Sequence, residues 1–265
     1  MFEVTWEDLP GWNGSAKLNT DDAPPVGPGD LEVEFAYGHT RAHKAWGNRW
    51  EDEGRGLLEE RTYDLGLSYG LWEDWELDLG LSLYSDLVDR EISPFNSGGI
   101  GDTEVGLKKL LHYDEDREFY LTYSQSVTIP TGKEGSVRDA LGHSQEYWTL
   151  NQRLIATQFI DRWTWTWDLG YALPLGSKRN EERGTLDTNL AIGYHIRPWF
   201  QPEVELNYAH DFIDAGQDAD VLAVTYGVVL LPSEKWRIGL GFQDAVAGRN
   251  TDDTTTGHVV VTYFH

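Results

Sequence analysis

Trp75-Glu76-Leu77-Asp78-Leu79-Gly80-Leu81-Ser82-Leu83 alternates without a break. In an extended chain Trp75, Leu77, Leu79, Leu81 and Leu83 share one side and Glu76, Asp78, Gly80 and Ser82 the other, the period of two that marks a β-strand. Trp163-Thr164-Trp165-Thr166-Trp167-Asp168-Leu169-Gly170-Tyr171 repeats the pattern, and so does Trp236-Arg237-Ile238-Gly239-Leu240-Gly241-Phe242. The polar sides are rich in glycine, which suits a crowded interior.

Working outward gives about twelve such runs. They centre near residues 31–39, 60–71, 75–84, 102–112, 117–129, 146–157, 162–173, 185–196, 199–210, 220–231, 235–243 and 255–264. Their connectors alternate between tight and long. Glu73-Asp74, Tyr113 to Asp116, Phe159 to Asp161, Arg197-Pro198 and Pro232 to Glu234 are tight, whereas residues 40–58, 85–101 and 130–145 are long. An antiparallel transmembrane β-barrel of about twelve strands has this asymmetry, with short periplasmic turns, long extracellular loops and both termini on the short-turn side. Trp72, Trp75, Trp163, Trp199 and Trp236 then fall at the short-turn rim on different strands, as a membrane-interface girdle would. Gln125, Gln152 and Lys109 break the pattern on the nominal lipid face, and Pro202 interrupts a ladder. Lys109 can snorkel from a rim, and the glutamines point to a bulge or a register slip.

Composition supports this reading. The 265 residues carry 45 acidic against 21 basic side chains, a formal charge of −24, so the clustered bases of a nucleic-acid binder are missing. Apolar residues at 40% and aromatics at 13% are too many for a disordered acidic tail. Zero cysteines exclude disulfides and thiolate chemistry. No apolar run reaches a helical membrane span, while a barrel averages polar because only alternate residues meet lipid. Met1 to Pro10 carries no secretory signal, so a barrel reading requires a bacterial outer-membrane chain whose signal is absent here. Residues 1–29 lack alternation and read as an irregular leader, either a periplasmic tail or a segment in the lumen; the tail is the blander reading, although Trp6 and Trp12 suit it poorly. The barrel proper is residues 30–265.

Assigning one face to lipid makes the other a lumen. Its acids are Glu32, Glu34, Asp64, Glu76, Asp78, Asp102, Glu104, Asp168, Asp187, Glu203 and Glu205, and its bases Lys108, Arg153 and Arg237. Such a lining favours cations if water fills it. A paired network that plugs the barrel is the alternative, with Lys108 facing Asp78 and Arg153 facing Asp168; both readings stay open at this point. Catalytic and metal sites are weakly signalled. His39, His43, His112, His143, His195, His210, His258 and His265 are scattered and no Gly-x-Ser-x-Gly occurs, so the expectation is no enzyme. Asp214, Asp218 and Asp220 in one loop and Asp252-Asp253 in another match no calcium-loop signature, so neither a metal nor another cofactor is expected.

Three segments carry a resemblance: Asn19-Thr20-Asp21-Asp22 with Gly27-Pro28-Gly29-Asp30-Leu31-Glu32-Val33-Glu34; Gly99-Ile100-Gly101-Asp102-Thr103-Glu104-Val105-Gly106-Leu107-Lys108; and Ile129-Pro130-Thr131-Gly132. Over residues 19–265 the chain resembles the outer-membrane family labelled "putative MetA-pathway of phenol degradation". The resemblance implies a barrel that passes small solutes, aromatic or hydrophobic ones among them. It departs by ending Tyr263-Phe264-His265, where barrels usually finish on the aromatic; a tag remnant at His265 would account for this. The expected partners are outer-membrane lipid, lipopolysaccharide and a small-molecule solute, with a monomer as the default state. The rivals are a soluble β-sandwich that binds carbohydrate through exposed tryptophan, or a barrel with an enzymatic or structural role.

Overall fold

The computed structural model describes residues 18–51, 58–88, 95–132, 144, 146–176, 182–214 and 216–265. Twelve strands follow in chain order: β1 (Leu31–Trp46), β2 (Leu58–Trp72), β3 (Trp75–Val88), β4 (Phe95–Asp114), β5 (Phe119–Ile129), β6 (Trp148–Ile160), β7 (Trp163–Leu175), β8 (Glu182–Tyr194), β9 (Phe200–Ile213), β10 (Ala219–Ser233), β11 (Trp236–Arg249) and β12 (Thr251–Phe264). Each pairs antiparallel with its sequence neighbours, and β1 closes on β12 through a ladder from Glu32↔Phe264 to Trp46↔Thr251. Closure gives every strand a hydrogen-bonded neighbour on both sides, so the barrel has no unpaired edge strand.

The polarity is inverted relative to a water-soluble protein. Thr122, Thr157, Thr164, Thr166, Asp168, Gln201, Glu203, Glu205, Thr225 and Thr262 are buried inside, while Leu79, Leu81, Leu83, Trp165, Trp167, Leu169, Val204, Leu206, Leu240 and Phe242 are exposed outside. Alternation along each strand produces this directly, because the pleat sends successive side chains to opposite faces. Trp72, Trp163 and Trp236 stand exposed beside the short turns, with Trp75 across from Trp72, and Trp199 lies in the β8–β9 turn next to Phe200.

Several sequence expectations need correction. The strands run further toward the long-loop end than the apolar periodicity suggests, because β4 begins at Phe95 and β1 ends at Trp46. The last connection at that end is a tight turn, with Asn250 at φ 51, and Asp252 and Asp253 belong to β12. No register shift separates β5 from β6: Gln125 lies directly across from Gln152, and both are exposed outward. Lys109 rests its ammonium 4.8 Å from the Trp75 ring centroid. Pro202 is tolerated because the β8–β9 ladder stops at Gly193↔Glu203, so its missing N–H falls past the end of that pairing.

Candidate functional site: an acidic interior crossed by a strap

Residues 18–30 run through the barrel rather than away from it, which replaces the flexible-tail reading for this stretch; Trp6, Trp12 and Pro10-Gly11 lie outside the described residues. The strap has no period because it makes no ladder. Its backbone N–H groups instead meet inward side chains of the wall. Leu18 N–H donates to Glu205 Oε1 at 2.8 Å and Asn19 N–H to Glu205 Oε2 at 3.0 Å. Asp21 N–H donates to Asp168 Oδ2 at 3.2 Å, Ala23 N–H to Thr157 Oγ1 at 3.2 Å, and Val26 N–H to Glu76 Oε2 at 2.5 Å. The Ala23 carbonyl accepts from Thr122 Oγ1 at 2.6 Å. At the short-turn rim Gly29 N–H donates to the Gly70 carbonyl at 2.8 Å, beside a parallel bridge from Pro28 to Gly70. Three inward glycines make room for the other end: a Cβ at Gly227, Gly239 or Gly241 would strike the Leu18 side chain.

The inward charges divide into two groups. One fixes the strap. Arg153 contacts Asp168, reaches Asp187 Oδ2 at 2.7 Å, and holds Asp21 Oδ2 at 2.8 Å. Asp168 also accepts from Asn189 Nδ2 at 2.9 Å. Lys108 Nζ lies 3.3 Å from Glu76 Oε1 and 3.4 Å from the Pro24 carbonyl. Its ladder partner across β3–β4 is thus Glu76, where sequence spacing points to Asp78. Arg237 donates to Glu32 Oε1 at 3.0 Å, and Gln201 to Glu203 Oε2 at 3.0 Å.

The second group lines open space. A cavity of about 520 Å³ lies between the strap and Glu32, Glu34, Glu76, Asp78, Glu104, Lys108 and Arg237. Another of about 500 Å³ is lined by Glu34, Asp64, Asp78, Asp102 and Glu104, and shares Asp21, Glu34, Asp78 and Glu104 with the first. A third, of about 400 Å³, holds Glu104, Arg153 and Asp187. Asp64 and Asp78 accept hydrogen bonds from Ser82 and Ser68 at 2.5 and 2.6 Å rather than from a base. From Leu18 to Ala23 the strap leans on β5–β7 and β9–β11, then crosses to Lys108 on β4 and Glu76 on β3, and it leaves an acid-lined gap along β1–β5. Near the long-loop end, Trp46 packs inside with Val221, Ala223 and Ala245.

Asp168, Glu203 and Glu205 are buried, and the other eleven charged residues that sequence placed inside line the cavities, with Glu76, Lys108 and Arg153 also contacting the strap, a distinction that periodicity does not carry. Asp21, Asp22 and the glycine groove were missed. Three inward glycines on adjoining strands were the available signal, once register is assigned. Asp220 is not a loop ligand: it is half of a pair with His210 Nδ1 at 2.7 Å, and Arg249 Nε lies 2.6 Å away. Among the described residues no group of three histidine, aspartate or glutamate side chains is arranged to hold a metal ion. His143 lies outside them. His39 and Glu59 form one pair and His210 and Asp220 another, and among the described residues no serine hydroxyl hydrogen-bonds to either.

A family model described as "Putative MetA-pathway of phenol degradation" matches residues 76–257. The fold is similar to the COG4313 outer membrane channel from Pseudomonas putida F1, with a TM-score of 0.78 at 15% identity over 94% of this chain and 100% of that one. It is also similar to the β domain of the Bordetella autotransporter BrkA, with a TM-score of 0.55 at 13% identity over 89% of this chain and 99% of that one. No curated protein sequence matches.

Proposed function

The chain belongs to the family described as "Putative MetA-pathway of phenol degradation", and from that premise we propose that it is a bacterial outer-membrane channel whose conducting path is the acid-lined gap between the strap and β1–β5. The carrying observation is the pair of adjoining cavities that share Asp21, Glu34, Asp78 and Glu104. Charged rings select by sign, and here carboxylates outnumber the bases Lys108, Arg153 and Arg237, each of which already contacts an acid. The solute class this supports is small and neutral or cationic. The family's description, which names phenol degradation, and the similarity of the fold to an outer membrane channel of Pseudomonas putida support passage of small molecules.

Reversal potentials in planar bilayers under a salt gradient test this. Cation preference is expected, and it should shrink near 1 M salt, where the screening length is about 3 Å. Asp64→Asn combined with Glu104→Gln should lower the preference without unfolding the barrel, since neither acid is paired to a base in the gap. Anion preference in the unmodified protein would overturn the proposal.

Orientation follows from the same reading: short turns toward the periplasm, long connections outward. A cysteine at Asn48, exposed beyond β1, should react with an impermeant maleimide on intact cells, and one at Glu234, in the β10–β11 turn, should not. Reversed labelling would invert the orientation.

A further inference from the structure

One outward patch is left unused by a channel. Along β1 and β2 the outer surface runs from Phe35 and Leu65 to Tyr37 and Tyr63, whose ring centroids are 5.1 Å apart, and there the apolar band ends. The next outward positions are His39 and Arg61, directly paired, then Arg41 and Glu59, also directly paired. Their inward neighbours confirm the facing, because Thr40 Oγ1 bonds Thr256 Oγ1 at 2.8 Å on the inner side. Glu59 lies at the centre: Arg61 Nη2 is 3.2 Å from Oε1, Arg41 Nη2 is 3.5 Å from Oε2, and His39 Nε2 is 2.9 Å from Oε1. This carboxylate draws two guanidinium groups from adjacent strands together. It uses few of their N–H donors, and the arginine side chains remain 59% and 50% exposed. His43 extends the patch from Thr255 Oγ1, at 2.8 Å.

Beside the bases is an opening. Gly257 is paired with His39 on one side and Phe242 on the other, and a Cβ built there meets nothing within 4 Å. Phe242 stacks on Tyr226, with centroids 6.4 Å apart and planes at 12°, and walls the notch. Asp244, across Thr255 on β11, bounds the basic region on that flank. Outside this patch Arg249, on the same end of the barrel, is occupied by Asp220.

We propose that this patch binds the phosphorylated sugar headgroup of lipid A, with Arg41 and Arg61 on a phosphate, His39 and His43 as further donors, and a sugar or the root of an acyl chain in the Gly257 notch. Charge decides the class: in a chain of net −24, paired arginines at the edge of the apolar band attract an anion that resides at that depth, and guanidinium groups meet phosphate oxygens through two parallel hydrogen bonds. The notch and aromatic wall favour a bulky glycolipid over a glycerophospholipid. The site rests on the outward orientation of the long-loop end proposed above, which cysteine labelling checks separately.

The test is native mass spectrometry of the detergent-purified full chain, reloaded with bisphosphorylated lipid A or, in parallel, phosphatidylglycerol. The unmodified protein should retain lipid A preferentially. R41Q/R61Q should lose retention by about tenfold or more, as expected for removing two charge-assisted contacts, with heat-modifiable gel migration and conductance unchanged. Gly257→Phe, with both arginines intact, should weaken lipid A as well, and it serves as the deciding variant if R41Q/R61Q does not fold. Equal retention by R41Q/R61Q, no effect of Gly257→Phe, or phosphatidylglycerol held as tightly as lipid A would each overturn the proposal.

Discussion

Deleting residues 1–26 is expected to raise single-channel conductance several-fold while the barrel stays closed. The strap occupies the lumen from Leu18 to Val26, and the conducting path proposed in its presence is the gap along β1–β5. Closure does not depend on it, since all twelve strand pairs, including β1–β12, are joined by ladders of their own. The groups it leaves behind include Glu205, Asp168, Thr157, Thr122, Glu76, Arg153 and Lys108. In an emptied lumen these meet water, so they do not become buried and unsatisfied. Deletion of residues 1–17 alone is the comparison that assigns the change to the strap. If conductance is the same in all three proteins, the strap does not narrow the path.

The barrel was legible in the sequence because its physics is local. Trp75 to Leu83 alternates, so one face must meet apolar surroundings, and the repetition of that pattern with tight turns between runs leaves closure as the way to satisfy every edge. The sequence left residues 1–29 open between a tail and a lumen segment, for the opposite reason. The strap's anchors join residues far apart, such as Leu18 to Glu205 or Ala23 to Thr157, and many run through backbone N–H groups that any residue type supplies. Only the wall carried a trace, in Gly227, Gly239 and Gly241. The acidic lumen shows the same limit at finer grain. Strand parity places Asp168, Asp187 and Glu205 inside, and on parity alone these would be natural residues to neutralise when testing selectivity. The geometry ties Asp168 and Glu205 to the strap, Asp187 to Arg153 and Glu34 to Arg237, so the gap-lining charges left for an ion on the proposed path are Asp64, Asp78 and Glu104. Parity also placed Gln125 and Gln152 outward, and the departure from an apolar pattern is real rather than a slip of register. Near the long-loop end, parity alone failed to show that Asp220 is held by His210, Tyr208 and Arg249, because that requires knowing which residues lie across the ladder.

Arg153→Met should destabilise the barrel by about 3–5 kcal/mol, the range for removing one partner of a buried ionic cluster. Arg153 is the shared cation of Asp21, Asp168 and Asp187. Asp168 is fully buried and keeps only Asn189 and the Asp21 N–H when the guanidinium is gone. Three carboxylates then repel one another around an apolar thioether. Arg153→Lys should lose less, yet a single ammonium cannot span three acids as a planar fork does. Adding Asp168→Asn and Asp187→Asn to Arg153→Met should recover most of the loss, since the amides remove the stranded charge and keep hydrogen-bonding capacity. Denaturant titration in bilayers gives the stabilities. The cavity of about 400 Å³ beside Arg153 admits water, and a loss below about 1 kcal/mol would mean that this water screens the cluster as it does an exposed pair. Conductance supplies the second readout. Asp21 belongs to the strap, so releasing it from Arg153 should loosen the strap at its middle and raise conductance toward that of the truncated chain. Lost stability with unchanged conductance would show instead that Glu205 and Glu76, at the two ends, hold the strap without help from the cluster between them.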